Sequence, residues 1–143
     1  MLRYFFYIAG QLGDLFRMIF KYELEYNLNC SPKVLFSRLN TPEGLCEWFA
    51  DDVDVEGDIF TFHWSKSEAK ARLIALKENK FVRFEWLDNP DQDTNYFEFR
   101  INIEELSGSL ALIITDFAEP EEKEDAIYLW DSQITDLKRL LGI

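Results

Sequence analysis

Histidine and cysteine are almost missing from this chain: His63 is the sole histidine, and Cys30 and Cys46 are the two cysteines. Two thiols are too few for a disulfide framework. They form no Cys-x-x-Cys pair, and one imidazole at no regular spacing from them does not complete a zinc site, so no metal or other cofactor is expected. No cluster of Lys or Arg flanks either thiol to lower its pKa. Both are therefore read as small buried or half-buried residues in a reducing, cytoplasmic compartment. Positive charge is scarce as well. Fifteen Lys and Arg face 27 Asp and Glu, a net charge of −12. That balance repels a phosphate backbone and no basic stripe interrupts it, so nucleic acid and anionic membrane surfaces are poor partners. The charge keeps the domain in solution, and it would also attract a protein partner carrying a basic patch.

Long uninterrupted apolar runs are missing too. Met1–Phe20, MLRYFFYIAGQLGDLFRMIF, is apolar and aromatic, but Arg3, Asp14 and Arg17 fall inside it. A membrane-spanning helix needs about 20 mostly apolar residues, so no stable membrane insertion is expected. Tyr4 to Gly10 is short for the core of a secretory signal, and Ala9-Gly10 is a poor cleavage site. Three readings of this extension stay open: a translation start placed too early, with the true start near Met18; an extra amphipathic helix; and a membrane-surface anchor.

What the chain has in quantity is aromatic residues, with 13 Phe, six Tyr and four Trp among 143 residues. That is enough apolar surface to offset chain entropy and build one core, so residues 21–143 read as a single domain. Lys21 to Leu28 alternates strictly, with Tyr22, Leu24, Tyr26 and Leu28 on one face, which predicts a half-buried strand. Ser31-Pro32 is a helix cap followed by a first-turn proline. Thr41-Pro42 repeats that signal and predicts a second short helix carrying Leu45, Trp48 and Phe49. Strands follow over Asp51–Glu56, Ile59–Trp64, Ala69–Leu76, Phe81–Leu87, Asn95–Leu106 and Leu110–Phe117. Turn signals separate them at Gly57-Asp58, Glu78-Asn79 and Ser107-Gly108, and the polar stretch Asp88 to Asp93 is a loop. No crossover helices intervene, so the sheet is predicted to be antiparallel, with six to seven strands. Ile127, Trp130, Ile134, Leu137 and Leu141 then form one apolar stripe on a long helix from Glu121 to Leu141. Acids open that helix, and Lys138, Arg139 and Gly142 close it.

The order strand, two short helices, six strands, long helix resembles the helix-grip fold of the START-like, or SRPBCC, superfamily. Cys30 to Phe36, continuing through Thr41-Pro42-Glu43-Gly44-Leu45-Cys46-Glu47-Trp48-Phe49, resembles the helical entry of the branch that holds Aha-type chaperone ATPase activators and their bacterial homologues. Thr115-Asp116-Phe117 with Trp130 to Leu141 resembles that branch's last strand and helix. The likeness covers Lys21 to Ile143 and is strongest to small stand-alone bacterial members. It implies an α+β fold in which a curved antiparallel sheet wraps the C-terminal helix around a cavity, and it implies no particular substrate.

The walls of such a cavity are assigned by the alternation. Phe60, Phe62, Trp64, Phe84, Trp86, Phe97, Phe99 and Ile101 come from the sheet, Trp48 and Phe49 from the entry helices, and Trp130 and Ile134 from the last helix. Two readings stand: a pocket for a small hydrophobic ligand, or rings that fill the space as core. Large rings at nearly every inward position favour a small or closed cavity. No catalytic residue is expected, because no inward Asp, Ser or Cys is assigned beside His63, which falls on the outward face. Asp51, Asp52 and Asp54 lack the spacing of a calcium loop. Arg83, Glu85, Glu98 and Arg100 are placed outward, with Arg83–Glu98 and Glu85–Arg100 as expected cross-strand pairs. The chain is thus expected to be a non-enzymatic binding module. The alternatives are a protein-interaction or chaperone-cofactor module acting through its acidic surface, and, third, a cyclase- or hydrolase-type enzyme.

Overall fold

The computed structural model describes residues 19–88 and 95–143. The readings of the N-terminal extension up to Met18, and most of the polar loop after Asp88, lie outside the described residues. The first strand, β1 (Phe20–Asn27), buries Tyr22 and half-buries Leu24 and Tyr26, while its intervening Lys and Glu residues are exposed.

Two short helices follow. In α1 (Pro32–Asn40), Ser31 Oγ accepts the Val34 N–H at 3.2 Å, as the cap signal predicts. Thr41 serves both helices: its hydroxyl donates to Ser37 O at 2.6 Å, and its Oγ1 accepts the Gly44 N–H at 2.9 Å. The second helix, α2 (Pro42–Leu45), is shorter than its sequence suggests. The amides of Trp48, Phe49 and Ala50 all converge on the Leu45 carbonyl, at 3.4, 2.8 and 3.2 Å. That tightening ends the helix and puts Trp48 and Phe49 on a turn instead.

Six further strands, β2 (Asp52–Glu56), β3 (Ile59–Trp64), β4 (Ser67–Lys77), β5 (Phe81–Trp86), β6 (Tyr96–Ile103) and β7 (Leu110–Ala118), complete one sheet. Its order is β1-β7-β6-β5-β4-β3-β2, and every neighbouring pair is antiparallel. Gly57 turns the β2–β3 hairpin at φ +65°, a conformation that costs glycine nothing because it has no Cβ. Strand β4 carries an irregularity between Leu73 and Ala75, so its alternation slips at Ile74, which is exposed. Strand β6 stops at Ile103, three residues short of the expected Leu106, and Ile103 is exposed at the strand end.

The cross-strand pairs are corrected in part. Arg83 opposes Glu98, but Glu85 opposes Tyr96 and Arg100 opposes Phe81. One antiparallel register cannot satisfy both expected pairs, and Arg100 instead reaches Glu98 on its own strand at 3.2 Å. With guanidiniums on both sides, Glu98 is buried although its face is the outer one.

The chain closes with one 3-10 turn (Pro120–Glu122) and then α3 (Lys123–Leu141). The tight start comes from Glu122 N–H bonding to Glu119 O at 3.0 Å, so the α-helix begins two residues later than the sequence suggests. Nineteen residues make a helix about 28 Å long. Gly142, at φ +75°, ends it. Its buried residues are Ala126, Trp130, Gln133, Ile134 and Leu137. Ile127 and Leu141 sit at the edge of the same core, half-buried.

Candidate functional site

The space between sheet and α3 is occupied by rings. Phe84 and Phe97 stack with centroids 5.1 Å apart, and Trp86 lies 5.0 Å from Phe97. Phe60 and Phe62 flank Phe84 at 5.1 and 6.1 Å, and Phe99 and Trp130 meet at 5.9 Å. The ring of Phe49 enters from the turn after α2. It packs at 5.0 Å from Phe62, 5.5 Å from Phe97 and 5.9 Å from Trp130, joining sheet to helix. Of the sequence-assigned wall residues, Phe60, Phe62, Phe84, Trp86, Phe97, Phe99, Ile101, Trp130 and Ile134 are buried in this cluster. Their mutual ring spacings are those of packed aromatic pairs.

Trp48 and Phe49 belong to the same buried cluster, and Trp64 is half-buried beside it. Together with Cys46, Glu47, Ala50 and Asp51 they form one wall of a groove of about 660 Å³, whose other wall is Leu129, Ser132, Gln133, Asp136, Arg139 and Leu140 of α3. A second depression of about 440 Å³ on the β2–β4 side is lined by Asp54, Val55, Glu56, Ile59, Thr61 and Lys70, and holds no aromatic residue.

The groove's turn is fixed by side chains distant in sequence. The Phe49 carbonyl accepts two hydrogen bonds, from Trp64 Nε1 at 3.0 Å and from Gln133 Nε2 at 2.8 Å. Trp48 Nε1 donates to Arg38 O at 2.8 Å, and the Arg38 guanidinium pairs with Glu47. The amide of Gln133 is thereby oriented: its NH₂ faces the Phe49 carbonyl, and its Oε1 is buried with no hydrogen-bond partner. Sequence reasoning missed Gln133, although it stands three residues after Trp130 and four before Leu137, on the buried face of the helix.

It also missed Asp116. This side chain is fully buried on the inner face of β7, where its Oδ2 accepts from Tyr22 OH at 3.1 Å and from Trp130 Nε1 at 3.0 Å. The carboxyl thus ties β1 and β7 to α3. At the next residue along the helix, Tyr26 OH donates to Asp131 at 2.6 Å. Burial, aided by that neighbouring carboxylate, raises the Tyr26 pKa well above its ordinary value.

His63 lies on the outer face as predicted, between Asp54 (2.9 Å from Nε2) and Glu68 (3.1 Å from Nδ1). Among the described residues, no three His, Cys, Asp or Glu side chains gather in a way that could hold a metal ion. Asp52 accepts its own strand's Val53 N–H and Asp54 pairs with His63. Both cysteines are half-buried and free, and burial raises the Cys30 thiol pKa, which makes it less nucleophilic at neutral pH. No helix among the described residues is long and apolar enough to cross a membrane.

An antiparallel sheet gripping a C-terminal helix, with two short helices after the first strand, defines the helix-grip class of α+β domain. The chain belongs to the START-like superfamily, whose domain model matches residues 18–143. Among solved structures, the Bacteroides fragilis protein BfR322 is 39% identical, with 87% of this chain and 93% of that one covered and a TM-score of 0.63. Aha1 from Colwellia psychrerythraea, solved as a dimer, is similar in fold at 18% identity, with 87% and 97% covered and a TM-score of 0.71. The Mesorhizobium loti protein MLL2253 is similar in fold at 16% identity, with 86% and 97% covered and a TM-score of 0.68. No curated protein sequence matches the chain.

Proposed function

We propose that this chain is a non-catalytic binding module that holds a small, largely apolar molecule in the groove between the turn Cys46–Asp51 and α3. The carrying observation is the groove itself: about 660 Å³, walled by Trp48, Phe49 and Trp64 on one side and by Leu129 and Leu140 on the other. Small-molecule sites fall in this size range, about 300–1,000 Å³, and combine apolar walls with a few placed polar groups. Here the placed groups are Gln133 and the charged residues beside it. The packed rings behind Phe49 favour the groove over the sheet–helix interior. The test is native mass spectrometry of the gently purified protein, beside a Ser132→Trp variant. Ser132 is exposed on the groove wall, so an indole there fills the site without touching the core. A co-purifying or added apolar molecule held by the parent chain and lost from Ser132→Trp supports the reading. Equal retention by both chains, or by neither, overturns it.

A second reading rests on the edge strand β2, whose Asp52, Asp54 and Glu56 are exposed at the sheet margin of a chain with net charge −12. It is an acidic surface for a protein with a basic patch. Such a complex weakens steeply as salt rises, and an interaction indifferent to ionic strength would discount it.

A further inference from the structure

We propose that residues 1–18 of this chain dock back onto the domain, along the seam between β1 and α3. The inference is independent of the groove, which is lined by other residues of α3. It rests on the seam itself and on the charge and reach of the segment.

Two contacts fix the seam. The Lys123 ammonium lies 5.8 Å from the centre of the Tyr22 ring, and Tyr26 OH donates to Asp131. β1 therefore runs beside α3, with Tyr22 to Tyr26 along Lys123 to Asp131. Leu24 stands two residues from each tyrosine, and Ile127 four from Lys123 and from Asp131, so both fall at mid-seam. Both are only half-buried, at the margin of the core. Phe20, one strand repeat before Tyr22, is 48% exposed. β1 is also terminal in the sheet order, and among the described residues no strand pairs with its other side. A strand edge eight residues long beside incompletely buried apolar side chains is one that proteins normally cover.

The chain carries a matching occupant. Residues 1–18, MLRYFFYIAGQLGDLFRM, are mostly apolar, and they set Arg3 and Arg17 against Asp14. This is a stretch of net positive charge in a chain of net charge −12. The start of α3, at one end of the seam, presents Glu121, Glu124 and Asp125, all exposed, so opposite charges meet there. The segment joins the domain at Ile19, directly before Phe20, and so leaves from the seam's own end. Eighteen residues reach about 27 Å as a helix and about 60 Å extended, while Lys123 to Asp131 spans about 12 Å of helix, so the seam is within reach in either form. Tethering also holds the segment at an effective concentration of about millimolar, ahead of a free partner. A second copy would bring another 12 negative charges to an acidic surface.

The test compares the full chain with two full-length variants, Arg17→Glu and the double change Phe5→Ser with Phe6→Ser, by backbone amide NMR and hydrogen exchange. Both variants alter the segment alone and leave the seam residues in place. The expected result is that each shifts the amides of 20–27 and 121–131 and leaves those of 46–51 unmoved. Exchange at 20–27 should quicken about tenfold in the double variant and about threefold in Arg17→Glu. Raising salt to about 0.5 M should move the parent chain toward Arg17→Glu. Seam amides that are the same in all three chains overturn the proposal, as do shifts confined to another face. Seam protection that rises with protein concentration and ignores both variants also overturns it, and assigns the seam to a second copy.

Discussion

Replacing Trp130 with phenylalanine asks whether α3 is held on the sheet by ring packing alone or also by the indole–Asp116 hydrogen bond. The phenyl ring keeps most of the contacts that Trp130 makes with Phe49, Phe97 and Phe99, whose centroids lie 5.9, 6.4 and 5.9 Å away. It removes the Nε1 donor, 3.0 Å from a carboxyl that is fully buried. Leaving a buried acceptor short of a donor costs about 1–3 kcal/mol. The lost indole volume adds about 1 kcal/mol, so the expected total is about 2–4 kcal/mol. For a domain of this size that lowers Tm by roughly 8–15 °C. Trp130→Ala should cost about 5 kcal/mol, the top of the range for aromatic truncation, because ring contacts and the hydrogen bond go together. That approaches the whole stability of a typical domain, about 5–15 kcal/mol, so the phenylalanine variant is the more readable one. The same Asp116 oxygen accepts from Tyr22, so Tyr22→Phe and Trp130→Phe should couple non-additively by about 0.5–3 kcal/mol. Urea unfolding followed by circular dichroism measures each term, provided the m-value is unchanged. If Trp130→Phe unfolds within about 0.5 kcal/mol of the parent, the buried hydrogen bond stabilises nothing and the reasoning fails.

Three further outcomes follow from other contacts. Phe49→Ala should cost about 3–5 kcal/mol and open an apolar void that takes up benzene, seen as a benzene-dependent rise in Tm; no rise means the surrounding rings have collapsed into the gap. Gly44→Ala should destabilise by about 1–3 kcal/mol or more, because a Cβ there would stand 2.6 Å from Arg38 Cα and closer still to Ser37 O, both backbone; near-neutral unfolding would show that α1 and α2 are less tightly apposed. Tyr26 has a raised folded pKa, so its contribution to stability is fully present below its ordinary value of 10.0 and is lost as pH rises beyond it. Tyr26→Phe should flatten the fall of Tm above that pH, and an unchanged alkaline limb would contradict the Tyr26–Asp131 assignment.

The fold was legible because its signals are local. Strict alternation in β1, β3 and β5, capping by Ser31 and Thr41, and the stripe on α3 are each written within a few residues. The end of α2 was not legible, since it depends on three amides turning onto one carbonyl at Leu45. Asp116 was missed for a different reason. Leu110 to Phe117 is apolar at nearly every position, as suits a strand with neighbours on both edges, so alternation gave no face. A period of two from Leu112 and Ile114 lands on Asp116, and that was the available signal. Glu98 illustrates the opposite error: its outward assignment was right, but two arginines cover it. The separation of a packed interior from an open groove depends on where the Phe49 ring points, which no spacing encodes.

Phe49 couples those two regions in its own backbone. Its ring closes the interior while its carbonyl is tethered to Trp64 and Gln133. Turning the ring about its own Cα–Cβ bond breaks neither hydrogen bond, because the acceptor is the backbone carbonyl. The ring is held inward by its own burial, about 2–3 kcal/mol, while the two hydrogen bonds hold the turn. Interior packing and the shape of the turn therefore rest on one residue through two separate contacts, and a change of side chain at position 49 can empty the interior without releasing the turn.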